Sequence, residues 1–247
     1  MGKLLLLLFF LSIMTVAAQT PLISPIIVDK SNTILNGHGE SLKLHDNIMS
    51  PMIIIGDSDN INPLFIVNHI IIENYILDGN KDNQSLEIWK NEDNGIRNSA
   101  IVVRGATNVI IRNCIINNAR SAGICIEKGS SLITIENCTI TQSAFDGIAA
   151  YDSTKCIIKN NTIRNNSYAG LSFDLKFNSN LIKDNTLSNN DIGVFMRFCD
   201  HNTFEGNKLT NRTFDFYFNK VDDDVNTIPK HFHLLNNIST LDSIARS

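Results

Sequence analysis

Basic clusters are missing from this 247-residue chain, in which 21 lysines and arginines face 25 aspartates and glutamates. With a formal net charge of −4 and no basic stripe, no nucleic-acid partner is expected. Helical periodicity is missing as well: Val, Ile and Leu are spread evenly and do not recur at i, i+3, i+4. After residue 18 no segment approaches the roughly 20 apolar residues that cross a bilayer, so no membrane span is expected. Tryptophan occurs once, at position 89. The five cysteines are an odd number, so at least one thiol is unpaired unless it bridges to another molecule. Zinc-like ligand spacing is absent around Cys114 and Cys138. His231 and His233 flank Phe232 and read as two exposed strand histidines. Hence no metal and no cofactor are expected. The one candidate, calcium at Asp222-Asp223-Asp224, competes with the reading of three consecutive acids as a solvated loop.

The amino terminus is of a different character. Lys3 gives a basic start, Leu4 to Ile13 an apolar run broken by Ser12, and Val16-Ala17-Ala18 a small-residue cleavage pattern before Gln19. Residues 1–18 therefore read as a secretory signal peptide, which implies a secreted or periplasmic protein. Residues 19–247 are left as one elongated domain.

A six-residue pattern recurs through that domain. It runs Ile111-Arg112-Asn113-Cys114-Ile115-Ile116, then Ile135-Glu136-Asn137-Cys138-Thr139-Ile140, then Ile158-Lys159-Asn160-Asn161-Thr162-Ile163. Ile182-Lys183-Asp184-Asn185-Thr186-Leu187 and Phe204-Glu205-Gly206-Asn207-Lys208-Leu209 follow, at steps of 22–24 residues. A fixed period of this size predicts stacked coils. Each coil holds short β-branched runs bounded by Asn, Gly, Ser and Asp, as strands are. The third position of the pattern holds Asn74, Asn113, Asn137, Asn160, Asp184, Gly206 and Asn236, residue types that tolerate a left-handed bend. The next position holds Tyr75, Cys114, Cys138, Asn161, Asn185, Asn207 and Asn237. Its asparagines are expected to stack inside as an amide ladder, because buried amides are costly unless bonded, and its cysteines to be stacked core residues.

Asn-x-x-Ile followed by x-Gly-Ile at this spacing resembles the right-handed parallel β-helix, the pectate-lyase-like superfamily, over roughly residues 25–240. The resemblance implies an all-β, single-stranded solenoid of three parallel strands per coil. The early coils are less regular, and a charged insertion (78–96) carrying Trp89 interrupts the repeat. Long loops in such arrays are commonly functional.

Aligning the x-Gly-Ile strand across coils yields a candidate site. Its second and fourth positions alternate inward, and its fifth makes an outward column of Arg104, Glu127, Tyr151, Asp174, Arg197 and Asn219. The third-position column beside it (Val102, Cys125, Ala149, Ser172, Phe195, Tyr217) predicts a groove suited to a sugar chain. A lyase or C5-epimerase acting on a uronic-acid polymer needs a cation for the carboxylate and an acid or base at C5. Tyr151, Asp174 and Arg197 are the catalytic candidates, with Arg104, Glu127, Asp146, Trp89 and Asn219 as substrate-binding candidates. Asp146-Gly147-Ile148-Ala149-Ala150-Tyr151 is partly similar to the Asp-Gly-Phe-Asp-Pro-His strand of mannuronan C5-epimerases. Ala149 and Tyr151 replace that family's second aspartate and its histidine, so its mechanism does not transfer. A glycoside hydrolase ranks third: Glu127 and Asp174 are two coils and about 9.6 Å apart, and the polygalacturonase Asn-Thr-Asp and Asp-Asp motifs are absent. The same column also reads as ordinary cross-strand ion pairing. A non-catalytic polysaccharide binder, adhesin or periplasmic assembly protein is therefore the alternative to an enzyme.

Overall fold

The computed structural model describes residues 19–84, 95–219, 231–241 and 244–246. The expected signal peptide, Trp89 and Asp222-Asp223-Asp224 lie outside the described residues. The described strands fall into three sheets of nine, nine and eight, all paired in parallel and ordered strictly by coil. One coil shows the scheme: Ile148–Tyr151 in the second sheet, Ile157–Lys159 in the third, Thr162–Arg164 in the first, then Ala169–Asp174 back in the second. The chain is thus an all-β parallel solenoid. Among the described residues the only helical element is the 3-10 turn Lys81–Asn83, and no helix is long and apolar enough to cross a membrane.

In-register stacking follows from the repeat. Ile72, Ile111, Ile135, Ile158, Ile182 and Phe204 are successive partners in the third sheet and are all buried. Leu77, Ile116, Ile140, Ile163, Leu187 and Leu209 do the same in the first. In the second sheet the positions expected to point inward (Ile124, Ile126, Ile148, Leu171, Phe173, Val194, Met196) are fully or almost fully buried. All five cysteines are free and buried, including the stacked Cys114 and Cys138.

The corners explain the asparagines. Every residue of the expected bend column has positive φ, between 53° and 65°. Behind it Asn161 donates to Asn185 Oδ1, Asn185 to Asn207 and Asn207 to Asn237, at 2.9–3.0 Å. Each amide bonds its neighbours, which removes the cost of burying it. Two further ladders run along the other corners. Asn166 donates to Asn190, Asn190 to Asn211 and Asn211 to Asp215, each at 2.9 Å. Asn180 donates to Asn202, also at 2.9 Å. The glycine of x-Gly-Ile makes room for the Asn166 ladder: a Cβ on Gly147, Gly170 or Gly193 would fall 2.5–3.0 Å from the Nδ2 of Asn166, Asn190 or Asn211. His231 proves to lie in a left-handed corner (φ 49°), and only His233 is on the strand.

Candidate binding cleft on the second sheet

The outward face of the second sheet is open over only part of its length. Its expected columns stand in register, with Glu127 beside Arg104 and Asp174 beside Tyr151. At the amino-terminal end, however, residues 57–65 fold over the sheet. Asp57 anchors that segment: its carboxylate accepts hydrogen bonds from the amides of Asp59, Asn60 and Leu64 and from the Asn60 side chain. Burial pushes the Asp57 carboxyl up, yet these bonds prevail and hold it at about 2. Arg104 lies beneath, fully buried, and donates to the carbonyls of Asn60 (2.8 Å) and Ile61 (3.0 Å). It also sits 3.5 Å from Glu127. Arg104, expected as a substrate-binding residue, is therefore a roof anchor. Val102 and Cys125 are covered as well, packed with Ile54, Ile96 and Tyr151.

Beyond the roof a cleft of about 790 Å³ opens, and Glu127, Asp146, Tyr151, Asp174, Arg197 and Asn219 all line it. Six of the seven expected site residues that can be placed therefore share one cavity; Trp89 lies outside the described residues. Ile61, Gly95 and Arg97 close one end, so the roof and the described residues ahead of the strand Ile101–Arg104 form its wall. The centre is an ionic and phenolic cluster. Arg197 Nε donates to Asp174 Oδ2 at 2.9 Å, with Nη2 on the same oxygen. The Asp174 side chain is 6 % exposed and that of Arg197 is 35 %, so the carboxylate is sunk and the guanidinium reaches the cavity. This contact raises the pKa of Arg197 further above its ordinary value.

From the other end Arg97 Nη1 donates to Tyr151 Oη at 3.1 Å, its guanidinium carbon 5.3 Å from the ring centroid. Burial drives the Tyr151 phenol well above its ordinary value of 10, and Arg97 does not offset it. Tyr151 is thus a proton donor throughout the neutral range. Asp146, buried, accepts from the Ala169 amide at 3.1 Å, which ties the cleft floor to the next coil.

Phe145, Tyr168 and Phe195 line the cleft in steps of about one coil, and Tyr217 continues the row past the lining residues. Phe145 and Tyr168 are 6.0 Å apart, Tyr168 and Phe195 5.8 Å, and Phe195 and Tyr217 5.8 Å and stacked. Phe195 and Tyr217 belong to the expected groove. Arg97, Phe145 and Tyr168 were not expected. Phe145 and Tyr168 nonetheless carry a signal, each standing two residues ahead of the column glycines Gly147 and Gly170. Arg97 carries none, since it stands just past the expected insertion and outside the aligned strands.

No protein of curated function matches this sequence. Solved structures of similar fold include gene product 12 of bacteriophage phi29, at 18% identity and TM-score 0.63 over 81% of this chain and 29% of that one. The surface adhesin PfbA of Streptococcus pneumoniae matches at 14% and 0.56, over 90% of this chain and 71% of its own. The periplasmic alginate epimerase AlgG matches at 12% and 0.54, over 92% and 64%. At such identities the likeness concerns the fold alone, and the chain spans under a third of the phage protein. Residues 28–213 match the family described as "Right handed beta helix region". That match covers most of the chain and the three parallel sheets accord with it, and the chain belongs to the right-handed β-helix family.

Proposed function

We propose that the chain is an exported protein that binds an acidic polysaccharide along the second-sheet cleft, with lyase or C5-epimerase chemistry as its first enzymatic option. The observation that carries this reading is the juxtaposition of two guanidinium groups with the rings of Phe145, Tyr168 and Phe195 in one cavity. Aromatic faces take the apolar faces of sugar rings, and arginine forks pair with carboxylates. Arg97 and Arg197 flank Tyr151 and Asp174, so a uronate carboxylate held by either guanidinium sets its C5 near a phenol and a carboxylate. In that reading Tyr151, kept protonated by burial, delivers a proton to the leaving oxygen or to C5, and Asp174 takes the C5 proton. Periplasmic alginate epimerase and the pectate lyase Pel9A (11% identity, TM-score 0.50) share the fold, which is compatible with such chemistry.

The alternative, a non-catalytic polysaccharide binder or adhesin, is favoured by one observation: Asp174 is already committed to Arg197, so a base is not free until substrate competes for the guanidinium. A glycoside hydrolase is the third reading. To test these, the purified protein is titrated with alginate, pectate and other polyuronides by calorimetry. Ultraviolet absorbance reports unsaturated product and NMR reports inversion at C5. Binding with turnover that Asp174→Ala and Tyr151→Phe abolish supports the enzyme. Binding without turnover leaves the adhesin reading, and no binding to any acidic polymer ends the proposal.

A further inference from the structure

The corner between the second and third sheets places a left-handed residue at the same point of successive coils: Leu132, Lys155, Ser179, His201 and His231, with φ between 49° and 60°. Equivalent corner residues stack at the strand spacing of about 4.8 Å. In the last two of these coils both are histidines, and their rings stack with centroids 4.8 Å apart and planes 23° from parallel. Asp200 lies against both. Its Oδ2 is 3.8 Å from His201 Nδ1, and its Oδ1 is 3.6 Å from His231 Nδ1. All three residues offer a ligand atom within 4.8 Å of the others.

These separations are too long for hydrogen bonds. They are close to the edge of a tetrahedron built on zinc bonds of 2.0–2.2 Å, about 3.4 Å. Asp200 Oδ1 is closed off from solvent yet accepts no hydrogen bond from the described residues, a deficit that a cation would remove. The two imidazoles are largely exposed, at 62 % and 67 %, so an ion can enter directly. None of the three residues lines the second-sheet cleft.

We propose that Asp200, His201 and His231 form a site for a divalent transition-metal ion of the zinc class, which fastens the coil beginning at His231 to the one before it. Two nitrogens and one carboxylate suit zinc, nickel or copper, whereas calcium and magnesium demand oxygen. Three protein ligands leave a fourth position for water. The described residues of the coil from 231 to 241 are mostly exposed, so a cross-coil clip is placed where packing gives the least. Metal binding that requires both coils in place adds directly to their docking.

The test is calorimetric titration of the chelator-treated full chain with Zn²⁺, alongside hydrogen exchange of residues 231–241 with and without the ion. One ion per chain is expected, with slowed exchange in that segment, and no such effect of Ca²⁺. His201→Ala and His231→Ala should each weaken binding at least by the roughly 10–100-fold that loss of an outer-sphere partner costs, while His233→Ala leaves it unchanged. Both ligand substitutions lie on the surface and should not alter the metal-free melting temperature or the binding of polysaccharide in the cleft. Binding unaffected by either substitution, or no one-to-one binding at all, would overturn the proposal. So would an equal loss in His233→Ala.

Discussion

A methyl group on residue 170 would have no space. Its Cβ would stand 2.9 Å from Asn190 Nδ2, from the Gly193 carbonyl oxygen and from Leu187 Cδ2 at once. Gly170→Ala therefore overpacks the coil and pushes Asn190 off its ladder, and should cost about 1–3 kcal/mol in urea unfolding. Tyr151 gives a second residue-level expectation, set by pH. Its folded-state pKa is raised by burial, so its contribution to stability is complete below the unfolded value of about 10 and is lost as pH rises toward the folded one. The difference in melting temperature between wild type and Tyr151→Phe should thus stay constant up to about pH 10 and shift above it, with wild type falling faster. At neutral pH the substitution deletes one hydrogen bond to Arg97, and stability should change by no more than about 0.5–1.5 kcal/mol. Polysaccharide affinity or turnover then reports on the cleft and not on folding.

At the scale of elements, the roof formed by residues 57–65 is held internally by one carboxylate and from beneath by Arg104. The Asp57 pKa is depressed to about 2 by its hydrogen bonds, so its contribution is present above the unfolded value near 4 and is lost as pH falls through about 2. Asp57→Asn should remove the acid-dependent part of the roof's stability. The gap in melting temperature between wild type and variant should then narrow steadily from pH 4 to pH 2. A constant gap would mean that the loop is held by something else. The roof also marks where the sequence stops being readable. Alternation told correctly that Arg104 leaves the core, since the period of two is set by the strand itself. What covers an outward residue is decided by a non-repeating loop, and no period carries that information. The ladders show the opposite case. Asn161, Asn185 and Asn207 were legible because they share a place in the motif. Asn166, Asn190 and Asn211 recur just as regularly, at steps of 24 and 21 residues, but stand in polar connections where asparagine is ordinary.

For the whole molecule, each described strand pairs with the described strands of the coils before and after it. Stability in such an array is a sum of coil and nearest-neighbour terms. This is why the repeat alone sufficed to specify the fold, and why the cleft was only partly legible: Tyr151, Asp174 and Arg197 follow from stacking, whereas Arg97 lies outside the aligned strands. The same one-dimensional logic sets an expected gradient of rigidity. In the middle coils the inward residues are almost wholly buried, as Ile135, Ile158 and Ile182 are at 0% exposure. In the last coil Leu234, which continues that inward column from Phe204, is 37% exposed. Opening therefore costs less at the carboxy-terminal end than in the centre, where it approaches the global unfolding free energy. Metal-free hydrogen exchange should be fast across 233–239 and slowest across the strands between 109 and 196. The slow central set should exchange together, since opening one inner coil breaks contacts on both sides. If 233–239 proved as protected as 133–140, an additional partner would have to cover that end. Dependence of the protection on protein concentration would then identify the partner as a second copy of this chain.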